Sequence, residues 1–226
     1  MSFSFVSVRP ILVLGFLACA PSALLSQECL GRASRKVATS SVTAGAGFGD
    51  GLVSGNGGVR FGSETAFASI GGGYDRFTRT ELGAPFASMA GGLSLPLGGA
   101  RAVRLCPILG FTYQHGPNED TNLYGRIDRS TIAASTGVAV GGIVELSTAV
   151  ALVPNFSLEF AAFQSRAENA GDTFTFNDEG AYIDMGLSLL FVRRISIEPT
   201  LTIPVGFNNV DPFLSFRLTW GFARHK

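Results

Sequence analysis

Residues 214–222 alternate with a period of two: Leu214, Phe216, Leu218, Trp220 and Phe222 fall on one side, and Ser215, Arg217, Thr219 and Gly221 on the other. Successive side chains of a strand point to opposite faces, so this stretch predicts a strand with one greasy and one polar face. The pattern recurs. In 195–207 the odd positions include Ile195, Ile197, Leu201, Ile203 and Val205, against Ser196, Glu198, Thr200 and Thr202. Residues 181–191 set Ile183, Met185, Leu187 and Leu189 against Tyr182, Asp184, Gly186 and Ser188. Residues 150–162 and 103–113 behave alike, and 85–97 and 132–146 do so more weakly. Residues 57–62 and 65–77 are ambiguous, and 42–48 alternates small residues with glycine. The expectation is ten strands near 41–49, 56–63, 65–78, 84–98, 102–115, 131–146, 149–164, 180–192, 195–207 and 211–223.

One amphipathic strand fits a soluble sheet as well as a membrane barrel; the connections separate the two. Only a few residues lie between strands two and three, four and five, six and seven, and eight and nine. The other pairs are expected to be joined by longer polar loops, notably 116–130 and 166–179. Short periplasmic turns opposite long extracellular loops are the habit of outer-membrane barrels, whose strands need about 9–11 residues to cross. An even count places both termini on the short-turn side. Charge follows the same division. Arg32, Arg35, Lys36, Arg101, Arg193, Arg194, Arg224 and Lys226 fall on that side, and acids such as Asp50, Glu119, Asp120, Asp172, Asp178, Glu179 and Asp211 fall in the loops. The rival reading is a secreted soluble barrel with the same strands turned inside out around an apolar ligand.

Composition agrees with a membrane-embedded wall. Charged residues make up 15% of the chain, mean hydropathy is +0.31, and 17 bases balance 17 acids, which gives nucleic acid nothing to bind. At the N-terminus Arg9 precedes an apolar run over 11–20 and small or polar residues up to Ser26. This predicts a signal peptide over 1–26 and cleavage after Ser26, with the run too short for a spanning helix. A periplasmic segment, 27–40, and one barrel domain, 41–226, follow. The longest later apolar stretch, 132–144, would reach about 20 Å as a helix and is stopped by Glu145.

With its leader, its glycine-rich first strand TAGAGFGDG and its last strand ending LTWGF, the chain resembles the small outer-membrane β-barrel family typified by outer membrane proteins A and X. The resemblance implies an all-β, transmembrane, antiparallel up-and-down β-barrel; its typical members have eight strands, which stands as the alternative to ten. It also implies that the last strand is the signal read by the barrel assembly machinery, carried here by Leu218, Trp220 and Phe222. The four residues after Phe222 depart from that pattern.

The residues that carry chemistry are few. Arg104, Glu145, Glu159, Asp184, Glu198 and Arg217 are expected inside the barrel, as a salt-bridge network that satisfies buried charge or as a paired-carboxylate site. A ten-stranded bore should be narrow or blocked. His115, close to Asn118, Glu119, Asp120 and Ser130, suits a lipid acyl hydrolase at the rim, but no spacing selects it. The acidic clusters at 118–122 and 177–180 offer oxygen ligands without the regular spacing of a calcium loop, so solvated charge is the simpler reading. GAGFGDG lacks the Lys and the following helix of a phosphate cradle. Cys29 and Cys106 are the two cysteines left after leader removal. They are expected to form a disulfide, since about 12 extended residues bring Cys29 within reach of the barrel mouth. The sequence thus reads as a non-enzymatic outer-membrane barrel without cofactor or metal. Its partners would be outer-membrane lipid, the assembly machinery and an extracellular partner met through acidic loops. A lipid-modifying hydrolase and a small-solute pore remain the alternatives.

Overall fold

The computed structural model describes residues 40–63, 65–78, 80–97, 103–121, 125–169, 172–192, 194–207 and 210–222, without the side chains of 119–121 and 125–126. The expected leader, the segment before Ser40, Cys29 and most of the basic residues assigned to the periplasmic side lie outside that range. Ten long strands are present: β1 Ser40–Gly49, β2 Leu52–Gly62, β3 Ala66–Phe77, β4 Leu82–Leu93, β5 Val103–His115, β6 Gly125–Gly142, β7 Val150–Asn169, β8 Asp172–Phe191, β9 Ile195–Val205 and β10 Phe213–Phe222. Leu95–Pro96 and Val144–Glu145 are short continuations of β4 and β6, and Glu119–Thr121 folds back on the start of β6.

Each strand pairs antiparallel with the next, and the ring closes where β10 meets β1, with Ser40 opposite Phe222 and Gly49 opposite Phe213. This is an up-and-down barrel of ten strands, not eight. Its outward side chains form one continuous apolar belt. Val42, Val59, Ile70, Met89 and Leu109 represent β1 to β5, and Ile132, Phe156, Met185, Leu201 and Leu218 represent β6 to β10; all lie bare on the outer surface. A belt of that extent is incompatible with water and is what hydrocarbon requires. Outward aromatic residues mark both edges, with Phe48, Tyr74, Tyr113 and Phe160 above and Phe61, Trp220 and Phe222 below. On β7, Val150 to Phe160 is ten steps of ~3.3 Å, which at a tilt of ~40° rises about 25 Å, the height of an outer-membrane apolar band. The chain is therefore a transmembrane β-barrel of the outer-membrane type.

The expected long loops are mostly strand. β7 and β8 each run 20 residues and are separated by residues 170–171 alone, so 166–179 is a rising hairpin. β6 runs 18 residues, and the fold-back of Glu119–Thr121 uses up much of 116–130. The reason is a change of solvent along a continuous strand. Outward positions on β8 read Phe191, Leu189, Leu187, Met185 and Ile183, and then Glu179, Asn177, Thr175 and Thr173. On β7 the outward row passes from Phe160 and Ala162 to Gln164, Arg166 and Glu168. Above the band the outer face meets water, the apolar row stops, and the pattern looks like the end of the strand. The hairpin's outer face is laced by the Arg166–Glu168 pair at 2.7 Å and by Gln164 donating to Asn177 at 3.3 Å. The first connection is likewise short: Asp50 and Gly51, with Gly51 at φ 76°, start β2 at Leu52 rather than near 56.

The band boundary is directly measurable. Leu201→Arg, near mid-band on β9, should lower unfolding free energy in lipid by about 2–4 kcal/mol, whereas Gln164→Arg, outward but above the band, should cost at most about 1 kcal/mol. Equal costs in denaturant titrations would remove the boundary.

Candidate functional site in the barrel interior

The interior divides into two tiers. At the end of the barrel where Ser40 and Phe222 lie, every strand, β4 through the residue just after it, turns at least one side chain inward that is less than a tenth exposed: Ser41, Arg60, Phe67, Ser94, Cys106, Ala139, Val153, Leu190, Ser196 and Thr219. An open pore would wet these positions. Two apolar clusters fill much of the tier, one of Phe67, Cys106, Ile108 and Ala139, the other of Ala151, Val153 and Leu190 with Ile143 against it. Arg60 lays its guanidinium over the Phe67 ring at 3.8 Å, and Arg104 donates to the Ser94 hydroxyl at 3.2 Å. Above this floor lies a cavity of about 830 Å³, whose lowest lining residues, Phe67 and Ile108, belong to the packed tier. Its walls, with Ser54, Ser88, Thr112, Thr200 and Ser215, are only half-buried.

The six charged residues expected inside do not form one network. Glu198, Arg217, Asp184 and Glu159 come together on β7 to β10. Glu198 and Arg217 face each other across the β9–β10 ladder with N···O at 3.4 Å, and Asn155 donates to the other Glu198 oxygen at 3.3 Å. Asp184 accepts from Ser157 at 2.8 Å and from the Thr202 hydroxyl, each its direct cross-strand neighbour. Glu159 accepts from Ser135 at 3.4 Å and is the next inward residue after Ser157 on β7. Arg104 sits apart in the packed tier. Glu145 is exposed at the short-turn rim, because the chain has left the wall of β6 by then. Leu218, Trp220 and Phe222 face outward, with Trp220 stacked on Phe222 at 6.0 Å.

The sequence pattern did not point to three features of the site. Asp75, held by Gln114 at 2.7 Å, brings a fourth carboxylate from the opposite wall. Its signal in the sequence is the row Ser69, Gly71, Gly73 and Asp75 opposing Ile70 and Tyr74, which alternates once glycine counts as neutral. Arg60 was masked by the glycines around it. The third is aromatic: Phe163, Tyr182 and Phe207 pack at the mouth, with Phe163 to Phe207 at 5.3 Å and Tyr182 to Phe207 at 4.7 Å. Glycine gives the larger groups their seats. A Cβ on Gly137 would stand 2.3 Å from the Leu158 carbonyl and 2.8 Å from Glu159 Cγ, and one on Gly73 would strike the Phe86 ring at 2.7 Å.

His115 does not complete a catalytic arrangement. It lies exposed on the outward face of β5, directly across from Ser130, and its hydrogen bond is to the Asn118 amide at 3.3 Å rather than to Ser130. Cys106 is fully buried and its sulfur is engaged rather than free, while Cys29 lies outside the described residues.

No family model matches the chain, and no curated protein does. Solved structures with a likeness to it include Ail, the attachment invasion locus protein of Yersinia pestis, at 10% identity over 81% of this chain and 93% of that one, TM-score 0.37. The translocator domain of the autotransporter NalP from Neisseria meningitidis matches at 10% identity over 95% and 93%, TM-score 0.45. The outer membrane protease OmpT from Escherichia coli matches at 9% identity over 82% and 94%, TM-score 0.39.

Gly137→Val should cost about 1–3 kcal/mol by overpacking the Glu159 seat. Gly55→Val, on the outer face with nothing within 4 Å of its Cβ, should cost nothing in the same folding titration. A neutral Gly137→Val would show that Glu159 is not held there.

Proposed function

We propose that this is a non-enzymatic surface-interaction protein of the outer membrane, which contacts other polypeptides through the sheet that β6, β7 and β8 raise above the band. One observation carries the reading. β9 stops pairing with β8 at Val205 opposite Ala181, so Asp172–Gly180 has no partner strand on that side among the described residues. A strand edge is a row of unsatisfied N–H and C=O groups and a template for another extended chain. Its inward row carries Phe174 and Phe176, 53% and 63% exposed, which offer apolar contacts beside the backbone pairing. The extracellular partner expected for acidic loops is thereby reassigned to a strand edge with acidic flanks.

The packed lower tier weighs against the solute pore, and the isolation of His115 from Ser130 weighs against the hydrolase. Outer-membrane lipid is the partner of the apolar belt. The assembly role of Leu218, Trp220 and Phe222 stays a proposal, supported by their outward rows on the strand that closes the ring.

Cells displaying the barrel should bind extended peptides with alternating apolar residues on an array. Phe174→Lys with Phe176→Lys should reduce that binding at least about tenfold without loss of the folded barrel, because inward-pointing charge blunts an edge. Unchanged binding by the double variant would contradict the reading. The Cys29–Cys106 disulfide, which would tie the N-terminal segment across the periplasmic mouth, predicts that protein purified without reductant shows no alkylation at either cysteine by mass spectrometry; two labelled thiols would remove it.

A further inference from the structure

Charge in the cavity is one-sided. Asp75, Glu159, Asp184 and Glu198 line it, and Arg217 is the only guanidinium among its lining residues. Arg217 is already paired with Glu198, and among the described residues no cation forms an ion pair with Asp75, Glu159 or Asp184. The low-dielectric wall around them focuses this negative field into the bore. The Ser135 hydroxyl holds Glu159, the Ser157 and Thr202 hydroxyls hold Asp184 and the Gln114 amide holds Asp75, but such dipoles do not cancel the charge.

The apolar half of the site is built beside the acidic half. Tyr182 stands directly across the ladder from Glu159, and its ring packs with Phe207 and, at 6.3 Å, with Phe163. On the facing wall Phe86 lies one inward step from Ala84, the cross-strand neighbour of Asp75. Phe163, Tyr182 and Phe86 all line the same cavity as the carboxylates. The volume, about 830 Å³, is within the range of small-molecule pockets, and the floor at Phe67 and Ile108 makes it blind.

We propose that this cavity is a binding site for an organic ammonium ion with an aromatic or similarly apolar body. The ammonium group would sit beside Glu159 and Asp184, with Asp75 adding negative charge from the facing wall, and the body would pack against Phe163, Tyr182 and Phe86. Each alternative leaves part of the site unused or opposed. An anion meets the carboxylates, and a neutral apolar ligand strips them of water with nothing in return. An inorganic divalent ion gains nothing from the rings, and no cluster of three His, Cys, Asp or Glu among the described residues is placed to hold one. An ammonium beside aromatic faces gains from both charge and ring quadrupole. The site lies below the protruding edge of β8 and does not depend on it.

The test is calorimetry on the folded full-length mature protein in maltoside micelles, with phenethylammonium, phenylacetate and putrescine as probes. Phenethylammonium should bind, phenylacetate should not, and putrescine, charged but without a ring, should bind at least about tenfold more weakly. Glu159→Gln and Phe163→Ala should each weaken phenethylammonium about tenfold, the size of one lost contact of either kind. Asp75→Asn reads the same charge from the other wall if the Glu159 variant does not fold. Equal binding of phenylacetate, putrescine equal to phenethylammonium, insensitivity to these substitutions, or no binding of phenethylammonium at millimolar concentration would each overturn the proposal.

Discussion

In hydrocarbon a backbone N–H or C=O has no water to turn to, and each one left unpaired costs several kcal/mol. That constraint sets the rest of this molecule. It requires the sheet to close, and the closure is the β1–β10 ladder from Ser40 opposite Phe222 to Gly49 opposite Phe213. Once the ring is shut, each strand has a lipid face and an interior face. A sequence with 15% charged residues must then place the charge it carries in the bore or beyond the band.

The interior answers with two different solutions. At the end where Ser40 and Phe222 lie the inward side chains pack as a small core, with Arg60 over Phe67 and Arg104 on Ser94 among apolar neighbours. At the other end the bore is half-buried and acidic, and its carboxylates are held by cross-strand hydroxyls and amides instead of by an equal number of cations. The first arrangement closes the barrel; the second leaves a charged, ring-lined chamber that opens outward. Glycine at positions such as 73 and 137 lets bulky inward groups lie flat against the adjacent strand, so the high glycine content reflects crowding inside the wall.

The parts of this fold legible in sequence are those that touch lipid. Rows such as Leu214 to Phe222 and Ile195 to Val205 are long, clean and in phase, because a hydrocarbon neighbour tolerates no polar interruption. They yield the strand count, the parity of the ends and the inward placement of Glu159, Asp184, Glu198 and Arg217. What could not be read lies where the solvent changes. Phe174 and Phe176 belong to the inward row of β8, one register step out of phase with Ile183 and Met185, so a continuous 20-residue strand looked like a loop. The connections expected to be long after β1 and over 166–179 are largely strand. Asp75, Arg60 and the Phe163, Tyr182 and Phe207 cluster escaped because they depend on pairing between strands whose glycines leave little pattern.

The outer rows face hydrocarbon up to a boundary on β7 and β8 and water above it. Nitroxide labels at Leu201, Leu218, Gln164 and Thr175 in reconstituted bilayers test it through collision with oxygen, which concentrates in lipid, and with a nickel chelate, which stays in water. Relaxation should be oxygen-dominated at Leu201 and Leu218 and nickel-dominated at Gln164 and Thr175. Nickel access at Leu201 and Leu218 would contradict it.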